Sequence, residues 1–208
     1  MHARHQDMSD EQLMQAYCQG DASAFDALYA RHEMPLFRFV RRVLGPALAP
    51  QADEVFQDCW LRIVNNRDSF SAELGKWKTW AYSIAHHLAL DRLRTSGREI
   101  SVDALEAHGG QSGTERLEWL QSGLDISHHS AEDMAYWRAA GQQLLQCLEA
   151  LPAVQRAVFL LHHEDGATLE ELAHSLELGF ETVKSRLRYA LQKLRGCMQG
   201  YLQAGGSI

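Results

Sequence analysis

The chain has 208 residues, an apolar content of 46% and a formal net charge of −7. This length suits two small domains better than one helical core. No apolar run approaches the roughly 20 residues a membrane span needs, and the opening residues MHARHQDMSDEQ lack the apolar centre of a signal peptide, so a cytoplasmic protein without membrane insertion is expected.

Proline is scarce and strand-like alternation is absent, which predicts an all-α fold. Residues 1–8 read as a loose tail. Ser9, with Gln12 three positions later, caps a first helix through Leu13, Met14 and Tyr17. Gly20-Asp21 breaks it, and Asp21 caps a second helix over about 24–44, with Phe25, Leu28, Tyr29, Leu36, Phe37, Val40 and Val43 inward. Gly45-Pro46 and Pro50 form a turn. A third helix follows over about 51–65, with Val55, Phe56, Cys59, Trp60 and Ile63 as its large apolar residues. A polar loop at 71–76 leads into a fourth helix over about 77–95. Trp77 and Trp80 share one face of that helix; the expectation is that Trp80 is core and Trp77 partly exposed.

From 96 to 130 the sequence is rich in Gly, Ser, His and acids and reads as a linker, with Leu117, Trp119 and Leu120 as a short helix or docking patch. Between Glu99 and Tyr136 stand eight acids and one base, Arg116, so this strap carries the whole net charge and the rest of the chain is balanced. Affinity for DNA depends on the phosphates a local patch neutralises, so the acidic total does not exclude a nucleic-acid binder. The strap should oppose non-specific binding by the free protein.

Helices resume near 130. An amphipathic segment covers 135–151, and Pro152 opens another helix. Thr168 with Glu171 makes a second capping box. Leu169, Leu172, Ala173 and Leu176 then form one buried stripe, a break follows at Leu178-Gly179, and Val183, Leu187, Ala190, Leu191 and Leu194 line the inner face of a last helix. Its outer face carries Lys184, Arg186, Arg188, Lys193 and Arg195 against Glu181. This is a helix-turn-helix pattern, in which the second helix enters a DNA major groove. At the turn, a positive φ would strain Glu177; either Gly179 takes the permissive role or the turn has another shape.

Cys18, Cys59, Cys147 and Cys197 are far apart, without CxxC spacing, and are most simply small buried hydrophobes. His86-His87, His128-His129 and His162-His163 are adjacent pairs, not the i, i+4 spacing of helical metal ligands, so neither metal nor cofactor is expected.

Several strings carry a family resemblance: Asp53-Glu54-Val55-Phe56-Gln57-Asp58-Cys59-Trp60-Leu61, Trp77-Lys78-Thr79-Trp80 running into Ile84-Ala85, Leu88-Ala89-Leu90-Asp91-Arg92-Leu93-Arg94, Leu151-Pro152 with Gln155-Arg156 and Val158-Phe159, Glu170-Glu171-Leu172-Ala173, and Thr182-Val183-Lys184-Ser185-Arg186-Leu187. In this order they resemble the sigma-70 family of bacterial RNA polymerase sigma factors, of the small extracytoplasmic-function (ECF) type. The resemblance implies a region 2-like domain at 9–95, an acidic linker at 96–130 and a region 4-like helix-turn-helix domain at 131–198. It implies an initiation subunit without its own active site, whose partners are core RNA polymerase, promoter DNA and an anti-sigma factor. Asp53, Glu54, Gln57, Asp58 and Arg62, with Asn65, would bind polymerase. Trp77, Lys78, His86, His87, Arg92 and Arg94 would serve −10 recognition and melting, with Trp80 a further candidate and Arg98 a further phosphate grip. Lys184, Ser185 and Arg188 would read the −35 element, with Thr182, Arg186 and Tyr189 on phosphates. The linker would thread the polymerase's template-strand and RNA-exit path. His86-His87 departs from the Arg-Asn many members carry, and neutral His offers one donor and one acceptor where Asn offers an amide. Two other readings compete: a stand-alone helix-turn-helix regulator on two-fold symmetric sites, and a histidine-dependent metalloenzyme.

Overall fold

The computed structural model describes residues 5, 7–97, 131–163 and 166–205, and all regular structure among them is helical. The linker over 98–130, with Arg98, the Leu117–Leu120 patch and His128-His129, lies outside the described residues.

The first lobe holds α1 (Asp10–Cys18), α2 (Ala22–Leu44), a 3-10 turn (Pro46–Gln51), α3 (Ala52–Asn65), a short 3-10 turn (Arg67–Ser69) and α4 (Trp77–Thr95). Ser9 and Gln12 form the capping box of α1, and Asp21 caps α2 by accepting from the Ser23 N–H. Pro35 sits inside α2, yet the apolar stripe continues on both sides, with Leu28, Leu36, Phe39, Val40 and Val43 buried. The core is aromatic: the Trp60 ring lies 4.9 Å from Tyr29, 5.7 Å from Phe25 edge-on, and 6.3 Å from Trp77. His5 and Met8, in the stretch expected to be loose, are held in place. Arg31 donates to the carbonyls of His5 and Met8 at 2.9 and 2.8 Å, and His5 Nε2 meets Asp21 at 3.0 Å.

The second lobe holds α5 (Ala131–Glu149), α6 (Ala153–His163), α7 (Leu169–Ser175) and α8 (Phe180–Gly205). Thr168 and Glu171 form the capping box of α7. Val183, Leu187, Ala190 and Leu194 are buried along α8, which packs on α5, α6 and α7. The turn between α7 and α8 places Glu177, not Gly179, at positive φ, 53°.

The cysteine expectation fails for one pair. Cys147 on α5 and Cys197 on α8 are joined by a disulfide, their Cα atoms 5.9 Å apart across a sequence separation of 50. Packing of two helices distant in sequence makes the pair, and spacing along the chain gives no sign of it. Cys59 is a buried thiol as expected, pushed up to about 12 by burial, whereas Cys18 is exposed.

The lobes touch. α2 and α4 pack against α6, and α4 packs against α7. Arg156 on α6 spans the seam: its guanidinium donates to Val43 O of the first lobe at 2.7 Å and to Glu149 O and Leu148 O of its own at 3.0 and 3.3 Å. Gly45, at φ 74°, leaves room for it, since a Cβ there would lie 3.3 Å from Arg156 Nη2.

Candidate nucleic-acid interface

Three surfaces carry the residues singled out in the sequence. The first is the outer face of α3. Val55, Cys59 and Ile63 bury the inner stripe, which turns Asp53, Glu54, Gln57, Asp58, Arg62 and Asn65 to solvent. Leu61, 61% exposed, joins them and escaped the sequence reading. With Asp58, Arg62, Asn65, Asn66 and Leu88 it lines an open depression of about 480 Å³. An exposed leucine flanked by opposite charges suits a partner helix better than bulk water. Glu54 is already engaged: Arg92 holds it by contacts of 2.8 and 3.0 Å and keeps its carboxyl below the usual range.

The second surface is the loop 71–76 with α4. The tryptophan expectation is reversed. Trp77 is fully buried, packed on Trp60 and 4.7 Å from the His32 ring, while Trp80 is half-exposed with its ring 5.5 Å from Phe70. Both residues share a face in the bare helix, and the ring stack from α2 and α3 takes Trp77. The α4 N-terminus also anchors Trp77, because its N–H donates to Glu11 Oε1 at 3.0 Å. Burial alone would raise the Glu11 carboxyl, but hydrogen bonds from the Trp77 N–H, its own N–H and Ser9 together outweigh it and hold the group below its ordinary value. Lys78 is half-buried with its Nζ over the Tyr82 ring, Arg92 bonds Glu54, and Arg94 pairs with Asp91 at 2.9 Å. His87 is half-buried. His86 is 2% exposed, and among the described residues neither ring nitrogen has a hydrogen-bond partner. Burial first, then the charges of His87, Arg186 and Arg94, push its pKa down to about 3, so the ring is neutral.

The third surface is the start of α8. Lys184 and Arg188, one turn apart, are exposed, and Thr182, Ser185 and Tyr189 are half-buried. Lys184 lies 3.6 Å from Glu181, Ser185 Oγ donates to Thr182 O at 2.9 Å, and the Arg188 guanidinium covers the Tyr189 ring. Arg186 departs from its expected solvent-facing place. It is 7% exposed, its Nε buried without a partner among the described residues, in the electrostatic neighbourhood of His86.

The second surface is partly covered by α7 and the turn that follows it. A cavity of about 360 Å³ lies between Phe70, Trp80, Lys76 and His87 of the first lobe and Glu171, His174 and Glu177 of the second. Lys76 Nζ reaches Glu171 at 3.7 Å. None of these second-lobe contacts is legible along the chain. Among the described residues no helix is long and apolar enough to cross a membrane, and no group of three or more His, Cys, Asp or Glu is placed to hold a metal.

A helical lobe with an exposed charged helix and an aromatic–basic neighbour, coupled to a helix-turn-helix lobe with a basic outer face, defines a promoter-directed transcription protein. Sequence comparison agrees: the family model for Sigma-70 region 2 matches residues 28–99, and that for Sigma-70, region 4 matches residues 147–196. The chain belongs to the sigma-70 family of RNA polymerase sigma factors and is of the ECF type. As such it binds core polymerase and directs promoter-specific initiation as a non-catalytic subunit. Similar proteins include the ECF RNA polymerase sigma factor SigK of Mycolicibacterium vanbaalenii, 28% identical over 190 residues and covering 89% of this chain and 87% of the relative. SigK of Mycobacterium tuberculosis is 27% identical over 179 residues, covering 86% and 87%. Among solved structures, the fold resembles CnrH in complex with the cytosolic domain of CnrY (TM-score 0.58, 21% identity, 92% of this chain and 97% of that one). It also resembles the sigma factor RpoE in complex with the anti-sigma factor NepR from Bartonella quintana (TM-score 0.56, 20% identity, 84% and 96%).

Proposed function

We propose that the lobes divide the work of initiation at 9–95 and 131–198, in the cytoplasm. The α3 face of Asp53, Glu54, Gln57, Asp58, Leu61 and Arg62 docks on a helical element of core polymerase. Lys78, His87, Arg92 and Arg94, with Trp80, serve the −10 element, where an aromatic surface replaces stacking lost on strand opening. Trp77 supports this surface from the core. Lys184, Ser185 and Arg188 read the −35 element, with Thr182 and Tyr189 on the backbone. His86 and Arg186 become available when the lobes part. The observation that carries the reading is the α8 register: Val183, Leu187 and Ala190 anchor the helix while Lys184 and Arg188 project together from the opposite side.

An anti-sigma protein is a further proposed partner. Both structural neighbours were solved with a second protein bound, named in one as an anti-sigma factor. The stand-alone regulator has less support, because such a protein has no use for the exposed α3 stripe.

Run-off transcription with core polymerase tests the assignment. Each base contact discriminates by about 1–3 kcal/mol, so Lys184→Ala or Arg188→Ala should lower transcription from the chain's own promoter roughly 5- to 150-fold. Polymerase pull-down should be unchanged by either. Asp58→Arg should do the reverse, and unaltered transcription by both α8 variants would remove the −35 assignment.

A further inference from the structure

A second cavity, of about 390 Å³, opens at the lobe seam on a side not used above. Among the described residues four guanidinium groups line it, Arg38, Arg41 and Arg42 from α2 and Arg156 from α6, against one carboxylate, Glu149. The α2 residues stand at i, i+3 and i+4, so one helix face presents all three. Arg38 and Arg41 are exposed, and no ion pair with a carboxylate engages either among the described residues. Burial, and to a lesser degree the charge of Arg38, lower the pKa of Arg42. Arg41 and Arg42 complement the carbonyl end of α2, but Arg156 already takes the Val43 carbonyl there. Arg156 is itself 5% exposed, and its Nε is a buried donor without a partner among the described residues. The remaining wall is apolar: Leu145, 44% exposed, with Leu148 and Pro46.

We propose that this cleft is a binding site for a compact phosphate-bearing anion, a pyrophosphate group carried by a nucleotide, whose phosphates meet Arg38 and Arg41 and whose base lies on Leu145. Guanidinium forks match phosphate oxygens two at a time, and the cavity falls within the usual volume of small-ligand sites. Because α2 supplies one wall and α5 and α6 the other, the site exists only while the lobes are together. Its nucleotide ligand, with the base on Leu145 of the second lobe, therefore binds the closed arrangement more tightly and shifts the population toward it.

Calorimetric titration of the full chain with inorganic pyrophosphate, a nucleoside 5′-diphosphate and a short single-stranded oligonucleotide tests this. Saturable binding of the first two is expected, tighter for the nucleotide. Arg38→Ala combined with Arg41→Ala, both solvent-exposed positions, should weaken it at least about tenfold. Lys193→Ala combined with Arg67→Ala removes equal charge outside the cleft and should leave it unchanged. Bound nucleoside 5′-diphosphate should also slow amide hydrogen exchange at the seam, around 83–87 and 183–188. The proposal is overturned by the absence of saturable binding, by equal losses in both double variants, by exchange at the seam that ignores the ligand, or by preference for the oligonucleotide. None of these outcomes bears on polymerase binding, which pull-down reads separately.

Discussion

Glu177 keeps its backbone at φ 53°, a left-handed conformation that strains residues bearing a Cβ. Gly179, two positions on, does not use this freedom. Glu177→Gly should therefore raise stability by about 1 kcal/mol, read as an upward shift in thermal unfolding. Gly179→Ala, whose Cβ would meet only Thr182 Oγ1 at 3.7 Å, should change little; the opposite ranking would refute the turn geometry. His86 carries a second prediction at this scale. Its pKa is depressed in the folded, closed chain to about 3 from an ordinary 6.5, so any state that exposes the ring binds a proton more readily. The neutral ring's contribution is complete above about pH 6.5 and is lost as pH falls below it, by roughly 1.4 kcal/mol per pH unit, towards the folded value. Between about pH 7.5 and about pH 5.5 the wild type should lose more thermal stability than His86→Gln. His163, pushed to about 4 by burial and by His162, remains in both proteins, so the difference isolates His86. Equal slopes would place the ring in contact with water.

At the scale of the element, helix ends were legible and helix partners were not. Ser9 with Gln12 and Thr168 with Glu171 act over three residues, so the capping boxes follow from local sequence and the structure holds both. Pro35 argues for a break in α2, since it removes an N–H from the helix. The stripe flanking it buries enough apolar surface for the helix to continue. Trp77 and Trp80 were misassigned because a shared helix face does not say which ring meets His32 and Trp60. The cap on α4 was invisible for the same reason, as Glu11 comes from another helix. Glu11→Ala strips the Trp77 N–H of its acceptor and should cost about 1 kcal/mol, measured by urea denaturation. The α5–α8 disulfide was equally illegible. In the chain-entropy account a closed loop of this length stabilises by up to about 4 kcal/mol. Reduction should therefore lower the unfolding midpoint of the second lobe, and Cys147→Ala with Cys197→Ala should reproduce the loss without reductant.

For the whole molecule, the α3 face was readable because a solvent stripe follows helical period. The lobe seam was not, since it depends on surfaces brought together by tertiary packing. That seam buries unpaired polar atoms on His86 and Arg186, each of which costs about 1–3 kcal/mol. The contact between lobes is accordingly weaker than either lobe's core. Engagement of polymerase and promoter should separate them, and probes placed on α4 and α7 should move apart on complex formation. Fixed spacing would mean that promoter elements are reached by the closed form. The bridge from Cys147 to Cys197 adds a topological consequence. A single protease cut anywhere between these two positions severs the backbone but not the molecule, so the nicked chain should migrate as one species on a denaturing gel and fall into two bands only once a thiol reagent is added.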